Sequence, residues 1–482
     1  MERNRRWQTA TSLLVLLAGY QGLLVTGCEG TLGGDSTSSA AATGESEPSS
    51  SSSTSPPGSS TAGSGGGSGS SSGTGGKSDP APHPVPMGKP AEKVVTLLQG
   101  QSNAVFLQYD KAYHGIYAPL VKALTGIPDH DARAERSDFS TPEKGYTLAS
   151  GTPTYSFDDS SHELWLDANA EGASHGDPST WPTGTHGSAF KNYIENTIVD
   201  SAPEGVPVVV LRFHSEYDSK KYGEEAKVYG AANRRFIGLV RSWLGKPAHE
   251  VPVFLGMPGF WSGTQGEALH SIRDAWRADI ADPVNNEHWM FGNVYDGNDR
   301  GDASHMDEAG CEMAAGRIAL SVSRWLYDSG YAHTDLSWLP RLGPRIVQVR
   351  RVPGQGAAID VQIQHDRGTD LVIPSDPALD IVSIDDNGTE RKATSVSRLD
   401  AKTLRFTLDG SLTGSDDQVT FDYNLWPGYY GPGRLVTDNW QSAVTRPDWA
   451  KSIPALDSVA LPIRRLDQSL RLGQVVSDPP AP

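Results

Sequence analysis

Two cysteines in 482 residues, Cys28 and Cys311, leave no material for a disulfide scaffold or a thiolate zinc cluster. Positive charge is scarce as well: 41 Lys and Arg stand against 58 Asp and Glu, a formal net charge of −17. Chains that grip nucleic acid neutralise phosphates with cations, so this balance argues against such a partner. The apolar stretch Leu13 to Val25 falls short of the roughly 18–20 residues that a spanning helix needs. No HExxH helix occurs, and His162-Glu163 lacks the second histidine of that zinc site. A calcium-like loop opens at Asp296 with Asp307 at its twelfth position, but Arg300 would put a fixed cation in the cage. No GxGxxG or Walker sequence opens a helix after a strand, and His114, His175, His186, His249 and His270 are dispersed. Neither a metal nor another cofactor is expected.

What is abundant is unevenly spread. The 52 glycines and 33 prolines are high for a globular chain. Residues 29–82 are Ser, Gly, Thr, Ala and Pro with almost no large apolar side chain, so they cannot offset chain entropy and read as a flexible linker. Within that tract Gly69-Ser70-Ser71-Ser72-Gly73 matches the GxSxG elbow formally, but a low-complexity tract cannot hold the strained turn that elbow requires. Ahead of the linker, Arg3, Arg5 and Arg6 precede the apolar stretch, the order of an export signal. The stretch closes in Val25-Thr26-Gly27-Cys28, which resembles the lipobox of bacterial lipoproteins. That resemblance implies removal of residues 1–27, acylation of Cys28, and a body lipid-anchored in the cell envelope, at the outer membrane or the cell surface. Cys311 then has no second cysteine to form a disulfide with; in its helical setting it reads as a small buried apolar residue.

From Lys93 the pattern turns to short apolar runs separated by segments of helical period. Val94–Leu98, Val206–Phe213, Val251–Leu255 and Trp289–Tyr295 predict strands. Ala189–Val199, Glu224–Leu244, Glu267–Ile280 and Glu308–Tyr327 predict helices. Such alternation predicts an α/β body over 90–340 with a parallel sheet covered on both faces, and reactive groups at the carboxyl ends of its strands. The turn-rich insert Asp129–Thr185 reads as long loops over that edge. Beyond Pro340, Ile346–Val352, Ala358–Gln364, Leu404–Leu408 and Val419–Tyr423 nearly alternate and are separated by turns such as Asp386-Asn387-Gly388. They predict a small antiparallel β-sandwich over 345–482, its closing stretch from Asp438 wrapping back irregularly.

Two short segments carry the chemistry. The first strand runs into Gly100-Gln101-Ser102-Asn103, where a serine on the turn can present its hydroxyl beside a helix N-terminus. After the fourth strand comes Asp302-Ala303-Ser304-His305. A hydroxyl nucleophile needs a base, and the base needs an orienting acid, which Asp302 supplies from one turn before His305. The bland alternatives are that Ser102 or Asn103 caps a helix, and that Asp302 caps a helix starting near His305.

GQSN after the first strand and DxxH before the last helix resemble the SGNH hydrolase superfamily, and within it the sialate O-acetylesterase and acetyl xylan esterase group. The resemblance spans 93–329. It implies a three-layer α/β/α body without a metal, deacetylation of carbohydrate esters, and a triad of Ser102 as nucleophile, Asp302 as orienter and His305 as base. The family's Gln-Gly-Glu block corresponds to His214-Ser215-Glu216-Tyr217-Asp218, where Glu216 and Asp218 match but His214 and Ser215 replace Gln and Gly. His214 would take over the oxyanion contact of the missing Gln, and Glu216 would lie by the substrate. The family's glycine before a helix corresponds to Gly187 in Thr185-His186-Gly187-Ser188. An acetylated carbohydrate or polysaccharide is thus the expected partner, with the membrane met only through the lipid. Trp165, Trp181, Trp261 and Tyr217 are candidates either for stacking on sugar rings or for packing under long loops. Two other readings stay open: a glycan-binding surface lipoprotein without catalysis on the same scaffold, motivated by the altered His214-Ser215 block, and an esterase of lipid or peptidoglycan esters. The sequence does not fix the oligomeric state.

Overall fold

The computed structural model describes residues 89–100, 103–104, 107, 112–134, 191–213, 229–256, 278, 288–290, 306–423, 433–464, 466 and 469–476. Five strands form a parallel sheet: β1 (Lys93–Gly100), β2 (Asp129–Ala134), β3 (Val208–Phe213), β4 (Val253–Leu255) and β5 (His288–Met290), in the order β2-β1-β3-β4-β5. Residues 94–99 of β1, 208–212 of β3 and all of β4 are buried, as expected of parallel strands covered on both faces. Their Val- and Leu-rich runs are the ones that the sequence predicts as strands. β2 is a correction, because Asp129–Ala134 falls in the insert read as loops. It is polar (DHDARA), yet its residues run in register with β1 from Lys93↔Asp129 to Leu98↔Ala134.

Side chains alternate between the two faces of a strand, so Thr96 and Gln99 point to opposite sides of β1. On the Thr96 side lies a π-helical turn, Tyr113–Tyr117, that runs on into α1 (Ala118–Thr125). On the Gln99 side, its register partner Arg212 stacks on Phe236 of α2 (Tyr229–Leu244), 4.1 Å from guanidinium carbon to ring centroid. The helical segment 191–201 contributes Ile194 and Ile198, and α3 (Glu308–Asp328) contributes Ala314, Ile318, Val322 and Trp325, to one continuous core with the strands. No helix among the described residues is long and apolar enough to cross a membrane.

The second sheet is antiparallel and has seven strands. They are β6 (Arg345–Arg351), β7 (Ala358–Gln364), β9 (Val382–Asp386), β10 (Thr389–Asp400), β11 (Thr403–Leu408), β12 (Val419–Tyr423) and β14 (Leu470–Arg471), ordered β14-β12-β9-β10-β11-β7-β6. A separate two-stranded ribbon pairs β8 (Leu371–Val372) with β13 (Thr437–Asp438). The expected sandwich is instead one sheet rolled almost into a barrel. β10 pairs with β9 over its first four residues and with β11 from Ala393 onward, with a register shift between Ala393 and Ser395 that lets the sheet bend there. At the far ends, Gly473 donates to Val349 O (2.7 Å) and Val476 to Val347 O (2.8 Å), which nearly closes the roll. The β9–β10 turn uses Asn387 (φ 52°) and Gly388 (φ 86°), the left-handed pair that a tight hairpin demands. Ile346, Val361, Ile384, Leu404, Phe406 and Phe421 fill the interior.

Two buried arginines on α3 hold the segment that leads into the antiparallel sheet and the stretch between β13 and β14. Arg324 donates to both carboxylate oxygens of Asp328 and to the carbonyls of Ser337 and Leu339. Arg317 donates to Ala460 O (2.8 Å). Beside it Gly316 has no side chain because a Cβ there would meet Val459 Cγ2 at 2.9 Å. Trp440 of α4 (Trp440–Ala443), Ala450, Leu456, Val459 and Leu461 thereby join the core of the parallel-sheet body rather than the β-roll.

Candidate functional site

In an open parallel sheet of order 2-1-3-4-5 the strand connections reverse direction between β1 and β3, and ligands bind outside the carboxyl ends at that point. Here those ends are Gly100 and Phe213, which are register partners. Two fully buried polar side chains sit just below them: Arg212 donates from Nη1 to Gln99 Oε1. Burying a guanidinium is costly unless it is bonded, and the acceptor from Gln99 with the face of Phe236 supplies part of that compensation. The result ties the end of β1 to the end of β3 and both to α2.

A second link reaches the same edge from the far side of the sequence. Asn103 is 2% exposed, and its Oδ1 accepts the backbone N–H of Met306 at 3.1 Å, across 203 residues of chain. Met306 is fully buried, and the Cys311 thiol lies 3.9 Å from its carbonyl oxygen. The next residue, Asp307, is the N-cap of α3: it is extended (ψ −178°) and accepts from Gly310 N at 2.8 Å. That assignment answers one sequence alternative. The helix begins at Glu308, the start that its sequence pattern predicts, and its N-cap is Asp307 rather than Asp302.

The sequence-predicted residues Cys28, Ser102, Gly187, His214, Glu216, Asp302 and His305 lie outside the described residues, as do Trp165, Trp181, Trp261 and Tyr217. What the structure brings together is their neighbours. Gly100 is two residues before Ser102, Asn103 directly follows it, Phe213 precedes His214, and Met306 follows His305. Gly100 pairs with Phe213, and Asn103 bonds Met306. Among the described residues no group of three or more His, Cys, Asp and Glu is placed to hold a metal ion.

Sequence reasoning missed a polar cluster on the other side of β1. His130 Nδ1 faces Ala118 O (3.1 Å), which can only accept, so Nδ1 carries the proton in the neutral ring. Nε2 then accepts from Thr96 Oγ1 (2.8 Å), which in turn accepts from Tyr117 Oη (3.1 Å). Tyr113 stacks on Tyr117 (centroids 5.2 Å apart) and donates to the carbonyls of Thr96 and Arg133. Burial lowers the His130 pKa to about 4, despite the Ala118 carbonyl and the nearby charges of Asp131 and Asp129 that favour protonation. Burial likewise raises the Tyr117 phenol above its ordinary range. A neutral imidazole and a neutral phenol bonded through a hydroxyl form a closed, fixed network that holds β2 and α1 against β1. The DHD run at 129–131 was the available signal, but polar residues at that density read as loop.

No family model matches the chain, and no curated protein does. Among solved structures, a macrolide-efflux protein from Streptococcus pneumoniae is similar at 10% identity, over 54% of this chain and 82% of that one, with a TM-score of 0.14. A likeness at that level carries no argument about fold or function.

Proposed function

We propose that the chain is a serine esterase that removes O-acetyl groups from carbohydrates, built on a three-layer α/β/α body of SGNH type and held at the cell envelope by acylated Cys28. The observation that carries this reading is the Asn103–Met306 hydrogen bond beside the β1/β3 strand ends. Consecutive Cα atoms lie about 3.8 Å apart, so one peptide step on either side of that bond leads to Ser102 and to His305. A nucleophile and base so far apart in sequence need such a link. The three-layer arrangement is supported by the opposite directions in which Thr96 and Gln99 point, one toward the α1 side and the other toward α2. The right-handed rule for β-α-β crossovers assigns the same two sides, because β2 and β3 flank β1 in opposite directions.

The chemistry is a two-step acyl transfer. His305, aligned by Asp302, takes the proton of Ser102 as Oγ attacks the acetyl carbonyl. The carbonyl π-electrons move onto oxygen, and that oxyanion is stabilised by the N–H groups of Ser102 and Gly187 and by His214. Collapse of the tetrahedral intermediate breaks the bond to the sugar oxygen, which leaves with the proton held by His305. Water, deprotonated by the same imidazole, then attacks the acetyl-enzyme and releases acetate. Glu216 lies by the substrate. The test is acetate release from acetylated xylan, sialic acid, pectin and peptidoglycan by wild type and Ser102→Ala. The substitution is expected to lower kcat by about 10⁴-fold or more with an unchanged melting temperature; turnover retained in the variant refutes the reading.

A further inference from the structure

We propose that Asn103 is a positioning residue, whose side-chain amide sets the height of the base relative to the nucleophile by holding the peptide group between residues 305 and 306. This rests on the reading of Ser102 and His305 above. The N–H that Asn103 accepts belongs to that peptide, and the contact is a buried side-chain bond of 3.1 Å, not part of a sheet ladder. The segment is held again just beyond it: the Cys311 thiol faces the Met306 carbonyl, Asp307 caps α3, and Cys311 N donates to Asp307 O at 2.9 Å. On the nucleophile side, Gln99 is fixed through Arg212 four residues before Asn103. The stretch from Gln99 to Asn103 is therefore anchored at both ends by side chains, one reaching β3 and the other reaching the start of α3.

The residue type fits this task. An amide oxygen accepts a hydrogen bond without adding charge, whereas a carboxylate of the same shape would favour the imidazolium form of a nearby base and raise its pKa. An apolar isostere would leave the Met306 N–H buried without its acceptor and let the 305–306 peptide drift. Displacements of about 1 Å in a reacting pair cost on the order of 10²-fold in rate.

Full-length wild type, Ser102→Ala, Asn103→Leu and Asn103→Asp are compared on p-nitrophenyl acetate as a function of pH, with melting temperature as the check on folding. Asn103→Leu is expected to lower kcat about 100-fold with KM within about twofold. Asn103→Asp, which keeps an acceptor oxygen, is expected to retain kcat within about tenfold while the acid limb of kcat/KM moves up by about one pH unit. A purely structural role would lower the melting temperature and the active fraction without moving that limb. Wild-type kcat in a folded Asn103→Leu, or an unmoved acid limb in Asn103→Asp, overturns the proposal. If Asn103→Leu does not fold, the Asn103→Asp profile decides alone. Turnover retained in Ser102→Ala brings down the esterase reading and this role together. A dead Ser102→Ala beside wild-type kinetics in both Asn103 variants removes the positioning role only.

Discussion

The two sheets handle polar groups in opposite ways. The central strands of the parallel sheet are buried along both faces, so a polar side chain in them is either bonded or costly; Thr96, Gln99 and Arg212 are all fully buried, and each is engaged by a neighbour on another element. In the antiparallel roll only the inside is dry. Its charges pair across the wet face, as in Arg398–Asp370 (2.7 Å) and Arg351–Asp416 (2.9 Å). The buried carboxylate of Asp386 serves a loop, accepting from Thr413 N, Thr413 Oγ1 and Gly414 N. Buried polarity in a parallel strand thus marks a place where position matters, while polarity on the roll mostly marks water.

Acid should separate the two regions most strongly. Unfolded His130 takes up a proton as the pH falls through 6.5, but the folded one only near 4, so the unfolded state binds more protons in that window and the parallel-sheet body is destabilised by roughly 3 kcal/mol across it. The roll behaves oppositely. Burial raises the Asp422 carboxyl from 3.8 to about 6, aided by the charge of Asp385 and opposed by a bond from Ser469, so between these values the folded state binds more protons and the roll gains stability as the pH falls. Hydrogen exchange corrected for intrinsic rates, followed from pH 7 to 4.5, should show β1 and β2 amides losing protection while those of β9 and β12 do not. Equal slopes would break the contrast.

A smaller effect tests the buried side alone. Thr96→Val keeps the shape but leaves Tyr117 Oη and His130 Nε2 without the hydroxyl between them, and should cost about 1–3 kcal/mol in a urea melt. A loss below that range would mean the network relaxes more readily than its burial implies. The smallest effect belongs to the wet face: Arg398→Gln removes a pair in which Nη1 donates to both Asp370 oxygens, with side chains 42% and 36% exposed, and should change stability by less than about 0.5 kcal/mol. A drop comparable to that of Thr96→Val would erase the distinction.

How much could be read from the chain alone follows the same divide. Val94–Leu98 and Val206–Phe213 announce buried parallel strands because burial on both faces demands mostly apolar runs. β2 and β10 were illegible for the complementary reason: DHDARA is an edge strand stabilised by its bonds and ion pairs to β1, and TERKATSVSRLD is exposed along most of its length. The GQSN and DxxH segments stood out as chemistry, but their meeting through Asn103 and Met306 depends on a contact 203 residues long, which no local pattern encodes. Likewise Arg212 reads in sequence as an interruption of an apolar strand; only the register that sets it opposite Gln99 reveals what it holds.

The packing of residues 440–461 onto α3 has a consequence for synthesis. Trp440, Leu456 and Val459 complete an interior whose other walls are made about 100 to 350 residues earlier, and Gly316 leaves room for Val459. As the chain leaves the ribosome, the helix bearing Arg317 must wait with one flank uncovered until β6 to β13 have been made, so the first body to be translated is completed only after most of the roll.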